Sequence, residues 1–169
     1  SNGFNSQIWD VAGNETNFFI RDVTNGSKLP FKIKPDAPTN SVFIATEGVG
    51  IGEGTPEQKL HVRGNVAISG SILPVSDKRL KKNIRTISNA LQTLQQLRPT
   101  AYQFRTTEFA EMNLLAGVQY GFIAQELEEV LPTLVTKSNN PDAAKNFRRV
   151  NYTGVIPFLV KGIQEQQAI

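Results

Sequence analysis

A serine and a lysine stand five positions apart in the run SDKRLKKNIR, as Ser76 and Lys81. A serine hydroxyl attacks a carbonyl efficiently only when a base takes its proton. The one histidine of the chain, His61, lies upstream of this run, which argues against a Ser-His-Asp triad. Lysine is then the available base. It acts as the neutral amine, a form favoured by burial or neighbouring positive charge. Lys78, Arg79 and Lys82 bring such charge, and a helix N-terminus adds to it. On a regular helix, positions i and i+5 lie on different faces. With Ser76 at the N-cap the geometry improves, because helical side chains tilt toward the N-terminus and carry Lys81 back. The hydroxyl then faces the carbonyl of Val75, its own upstream peptide bond, and the chemistry is scission between Val75 and Ser76. The plainer alternative is a serine cap followed by solvated lysines, since serine caps are common.

Other residue groups point to chemistry less strongly. Gly48, Gly50 and Gly52 do not fit the spacing of a phosphate loop, and no helix pattern follows them directly. Tight turns and close backbone approach near an axis explain them better. His61 sits between Lys59 and Arg63 in an alternating strand, as a half-exposed residue rather than a ligand. The chain has no cysteine, so disulfides and thiolate metal sites are excluded, and no metal or cofactor is expected. KRLKKNIR gathers five basic residues, but no aromatics are interleaved, and residues 106–129 carry five acids and no base. Opposite charge blocks suit contact between domains or chains, so no nucleic-acid partner is expected. There is no apolar run of 18 residues, hence no expected membrane insertion, and the opening SNGFNSQIWD has no signal-peptide pattern.

The elements that must position Ser76 and Lys81 fall into two halves. Residues 1–75 hold 9 of the 13 glycines and 3 leucines, at net charge −1. Residues 76–169 hold 4 glycines and 10 leucines, at net +4. Glycine punctuation predicts short strands, and leucine at helical spacing predicts helices. In the first half, strands are expected over Asn17–Asp22, Lys28–Lys34 and Ser41–Thr46. Alternating pairs Val49/Ile51, Leu60/Val62 and Val66/Ile68 follow, and Asn25-Gly26 is a turn. Two-stranded units this short are marginal in water, and identical chains wound about a threefold axis would supply the missing surface. In the second half, Leu80, Ile84, Ile87, Leu91, Leu94 and Leu97 form one stripe at helical period. Ser88 caps a helix over Asn89–Leu97 that Pro99 closes. Thr100–Arg105 and Val118–Ile123 read as strands, Ala124–Val130 as a helix ended by Pro132, and Leu134–Thr136 as extended. Thr153–Ile169 reads as helical, with Pro157 in its first turn. Ile156, Leu159, Ile163 and Gln166 start a coiled-coil seam of about two heptads, too short to stand alone.

The residue order carries a resemblance. VGIGEGTPEQKLHVRGNVAISGSI, about residues 48–72, resembles a segment found near the C-terminal ends of phage tail fibres and related trimeric bacterial surface fibres. The match lies in its glycines, Pro56, Lys59-Leu60 and Gly64. SDKRLKKNI followed by GFIAQELEEVLP resembles the intramolecular chaperone auto-processing domain of phage endosialidases and other tail fibres, and myelin regulatory factor carries a related domain. This resemblance covers Ser76 to about Ile169. It implies a domain that trimerises, drives folding of the upstream β fibre, and cuts itself off before the motif serine. Ser76 then corresponds to the nucleophile and Lys81 to its base. Asp77, Arg79, Leu80 and Asn83 match the first motif's framework. Gly121, Phe122, Gln125, Glu126 and Pro132 match the second motif, with a structural or intersubunit role. The family's closing coiled coil is usually longer.

The expected architecture is therefore a β-rich trimeric stalk over residues 1–75, β-prism or β-helix-like. An α+β chaperone domain follows over 76–169 and ends in a coiled-coil-like helix. The expected partner is the chain itself as a homotrimer, on a virion tail fibre or a bacterial cell surface. The alternative is an uncleaved adhesive tip that binds a surface glycan or protein. Trp9, Phe18, Phe19 and Tyr102 are its aromatic candidates, each also readable as core.

Overall fold

The computed structural model describes residues 6–138 and 146–168, so Ile169, the predicted end of the last helix, lies outside the described residues. The first three strands form an antiparallel meander: β1 (Trp9–Asn14), β2 (Asn17–Asp22) and β3 (Lys28–Ile33). The Asn14 carboxamide oxygen closes the first turn by accepting from the Thr16 and Asn17 backbone N–H groups, both at 2.9 Å. The second turn places Gly26 at φ 83° and Ser27 at φ 56°, the left-handed conformation that Asn-Gly turns supply. Strand β1 was not expected, because WDVAGN carries weak strand signals.

Pairing registers put Trp9, Val11, Phe18, Ile20, Phe31 and Ile33 on one face of this sheet. All but the half-buried Ile20 are exposed. The opposite face buries Phe19, and Asp10 there accepts from Arg21 Nε at 3.0 Å. A three-stranded sheet with one bare apolar face is an unfinished layer.

A second small sheet holds β4 (Phe43–Ile44), β5 (Val49–Ile51) and β6 (Leu60–Val62). Strand β4 is shorter than the expected Ser41–Thr46. Strands β5 and β6 run parallel although only residues 52–59 join them, a connection shorter than parallel pairs usually have. Glycines make it fit: a side chain at Gly50 would strike the Glu53 carbonyl, and one at Gly48 the Gln58 carbonyl. The close approach predicted for these glycines thus lies within one chain. Val66 and Ile68 form no strand and are exposed in an extended stretch.

The second half is built around Leu127, Leu131, Leu134 and Val155, with Leu97, Phe122, Val150 and Phe158 packed against them. Its elements are α1 (Ala90–Gln95), the hairpin β7 (Thr100–Gln103) and β8 (Val118–Gly121), α2 (Ala124–Val130), the pair β9 (Val135–Lys137) and β10 (Arg148–Val150), and α3 (Ile156–Gln166). A 3-10 turn over Tyr152–Val155 precedes α3, and Pro157 occupies the first helical turn. Strand β10 was not expected from the charged triplet RRV.

The stripe from Leu80 to Leu97 is helical only in its last part. Asn83 and Asn89 adopt left-handed conformations at φ 54° and 55°, and Asn89, not Ser88, stands at the N-cap. Leu80 is 75% exposed and Ile84 63%. With no surface to cover them, the apolar period cannot sustain a helix. Helix α1 survives because it packs on α3. A side chain at Gly162 would meet Leu94 Cδ1, so the missing Cβ allows the approach. The Glu165 carboxylate accepts from the Leu91 backbone N–H at 2.9 Å. The seam residues Ile156, Leu159 and Ile163 of α3 remain exposed, with Val160.

Candidate cleavage site and its framework

Lys81 Nζ donates to Ser76 Oγ at 2.6 Å. The chain turns between them through a 3-10 turn over Lys78–Leu80. Ser76 is not the cap of this turn. Asp77 is: its carboxylate accepts from the Arg79 backbone N–H at 2.8 Å. The turn begins one residue later than expected, and a carboxylate makes the stronger, charge-assisted cap. Asp77 also accepts from the Arg79 guanidinium, with Nη2 to Oδ2 at 2.8 Å. These bonds, the side-chain one above all, hold the Asp77 carboxyl below its ordinary range and raise the proton affinity of Arg79. The 3-10 turn, rather than a full helical turn, is what lets positions i and i+5 meet.

The Val75–Ser76 bond lies bare: Val75 is 79% exposed, and Ser76 and Lys81 are both open to solvent. Upstream, Ile72 and Leu73 are also exposed. Asn83 ends the motif in its left-handed conformation, where asparagine is one of the better tolerated residues.

The second motif forms a buttress elsewhere. A side chain at Gly121 would collide with the Tyr152 hydroxyl, so glycine leaves room for that ring. Tyr152 Oη accepts from the Phe122 backbone N–H at 3.1 Å, and the two rings stack at 6.1 Å. The Gly121 carbonyl accepts from Thr100 Oγ1 at 3.0 Å. Glu126 accepts from Arg98 Nε at 3.0 Å, and this pairing raises the proton affinity of Arg98. Glu128 accepts from Lys137 at 2.9 Å and Arg148 at 2.7 Å, which hold its carboxyl low. Gln125 faces solvent, and Pro132 opens a 3-10 turn. Among the described residues, no hydrogen bond or ion pair joins this motif to Ser76–Asn83.

Sequence reasoning missed Tyr152, Thr100 and Arg98. Their partners are 20 to 30 positions away, and only the fold reveals them. Of the aromatic candidates, Trp9 and Phe18 are exposed and Phe19 is buried. Tyr102 is half-buried, edge-on to Phe104 at 5.1 Å. Among the described residues, no group of three or more His, Cys, Asp or Glu is placed to hold a metal ion, and no helix is long and apolar enough to cross a membrane.

Residues 76–136 match the family described as the chaperone of endosialidase. The match begins at Ser76 itself and includes both motifs. A long tail fibre protein of Salmonella phage S16 is 35% identical over 80 residues, covering 47% of this chain and 10% of that protein. Myelin regulatory factor homolog 1 of Caenorhabditis elegans is 37% identical over 125 residues, 69% of this chain and 13% of that protein. An uncharacterised protein of Dictyostelium discoideum is 33% identical over 81 residues, 47% of this chain and 7% of that protein. The matched region is thus a small part of each of these relatives.

Proposed function

We propose that residues 76–169 are an intramolecular chaperone that registers three copies of this chain, folds the β-rich segment before it, and then severs the Val75–Ser76 bond. The observation that carries the proposal is the Lys81–Ser76 contact at 2.6 Å, at the residue where the family match begins. Lys81, once neutral, takes the proton of Ser76 Oγ. The oxygen attacks the Val75 carbonyl carbon, the C–N bond breaks, and the proton passes to the Ser76 nitrogen. Water then hydrolyses the Val75 ester, leaving a carboxylate on Val75 and restoring the serine hydroxyl. One water is consumed, and each chain turns over once.

Assembly is the natural trigger for this chemistry. In one chain, Ser76 and Lys81 are both open to solvent. Packing of copies over the exposed residues Leu73, Val75, Leu80 and Ile84 would remove water from the site. The bare sheet face and the open seam of α3 support the same assembly, since contiguous apolar surface of this kind marks an interface. A tail-fibre relative in a phage supports a place on a virion fibre or a bacterial surface fibre.

The test compares wild type with Ser76→Ala by intact mass and light scattering. Wild type is expected as two fragments whose masses exceed the intact chain by one water. Ser76→Ala is expected as one intact mass, in particles three times the chain mass. Fragmentation of Ser76→Ala at the wild-type rate would overturn the cleavage, and a monomer at working concentration would overturn the chaperone role. The second reading, an uncleaved adhesive tip, draws support from exposed Trp9 and Phe18. An intact wild-type trimer that binds a glycan array or cells, and loses binding in Trp9→Ala, would favour it.

A further inference from the structure

Among the described residues, two side-chain hydrogen bonds cross from the first half of the chain to the second, and both end on Glu57. Its carboxylate accepts from the hydroxyl of Ser138, and from Arg149 Nη1 at 2.9 Å. The partners are 81 and 92 positions away in sequence. Glu57 lies in the β5–β6 connection, and its side chain is 15% exposed. Ser138 is buried at the end of β9, and Arg149 lies on β10. Paired strands therefore present one hydroxyl and one guanidinium to a single carboxylate. A cavity of about 300 Å³ lies at this junction, lined by His61, Phe104, Met112 and Phe147 among others.

The carboxylate is delivered by a prebuilt loop. Glu53, 5% exposed, accepts from the Thr55 N–H at 2.8 Å, the Thr55 hydroxyl at 2.9 Å and Arg63 Nε at 3.1 Å. The Glu57 N–H donates to His61 Nδ1 at 3.4 Å. An unfolded β5–β6 segment does not hold Glu57 in place, so the second half can grip it only after this unit has formed.

We propose that Glu57, Ser138 and Arg149 form a docking latch: the second half binds the folded β5–β6 turn, and the latch keeps the two halves together after the chain is cut at Val75–Ser76. The proposal rests on the chaperone reading of residues 76–169. It assigns that domain an interaction surface for a folded turn, with an acidic side chain as the key. Hydrogen bonds to a charged group lose much of their strength when either partner goes. Loss of the Glu57 charge should therefore speed separation by about 10- to 100-fold.

The test does not depend on self-scission. In a Ser76→Ala chain, a recognition site for an added sequence-specific protease is placed within residues 66–75, and the cut protein is followed by gel filtration after dilution. With Glu57 present, the pieces should co-elute and part slowly. Glu57→Gln should part about 10- to 100-fold faster, and the charge-swapped pair Glu57→Arg with Arg149→Glu should recover slow separation. Equal rates with and without Glu57→Gln, or immediate separation in the parent chain, would overturn the latch. If Glu57→Gln disturbs folding, seen as lost ellipticity before the cut, the charge swap decides: failure to recover slow separation overturns the proposal. Failure of the cleavage reading appears separately, as an uncut wild-type band on a denaturing gel before protease is added.

Discussion

Acid should loosen the β5–β6 turn through Glu53. Burial works to raise the proton affinity of this carboxyl, but the bonds from Arg63 and from the Thr55 N–H and hydroxyl outweigh it and bring it from an ordinary 4.5 to about 2. At about 1.4 kcal/mol per pH unit, that is about 3 kcal/mol of folding stability. The folded carboxyl binds its proton more weakly than the unfolded one. The contribution is therefore fully present above pH 4.5, declines as pH falls below it, and is gone near pH 2. Glu53→Gln removes the charge at every pH and leaves Arg63 without its partner. At pH 7 the variant should be less stable than wild type by about 2 to 3 kcal/mol. The gap should narrow steadily from pH 4.5 to pH 2.5. Urea unfolding followed by circular dichroism, at one fixed protein concentration, gives both stabilities. Other carboxylates with lowered proton affinity, such as Asp10 and Glu128, affect both proteins alike, so the difference isolates Glu53. A gap that stays constant from pH 7 to pH 2.5 would refute the reasoning.

Two further outcomes follow from the geometry. Lys81→Arg keeps the positive charge beside Ser76 but not a base, since a guanidinium does not lose its proton; scission in a denaturing-gel time course should slow by at least about 100-fold, with the particle mass in light scattering unchanged. Gly162→Val builds a Cβ against Leu94 Cδ1 and adds two methyl groups beyond it; overpacking there should cost about 1 to 3 kcal/mol, read as a lower urea midpoint, and exchange of α1 amides should rise.

Local features were legible in the sequence. Alternation and the Asn25-Gly26 turn marked β3 to within a residue, the bounds of β2 matched, and Pro132 marked the end of α2. The Ser76–Lys81 contact is also local, but residue types left it in competition with a plain serine cap until the motif resemblance was added, and Asp77 rather than Ser76 caps the turn. Long-range features were hidden. Arg98–Glu126 and Glu57–Arg149 are ordinary charges until the fold brings them together. The Leu80–Ile84 stretch misled for a physical reason: its helical period records a surface to be covered, and among the described residues no neighbour covers Leu80 or Ile84. Two lone asparagines in left-handed conformations then set the backbone path.

The exposed stretch of residues 65–75 also acts as a leash. Fully extended, it reaches at most about 40 Å. Within that reach, a docked partner that slips off its site stays nearby at millimolar-scale local concentration and soon returns. The proposed cut at Val75–Ser76 would abolish this return. Under the proposed cleavage, the lifetime of the docked halves becomes a clock, started by the cut and set by the contacts that remain between them.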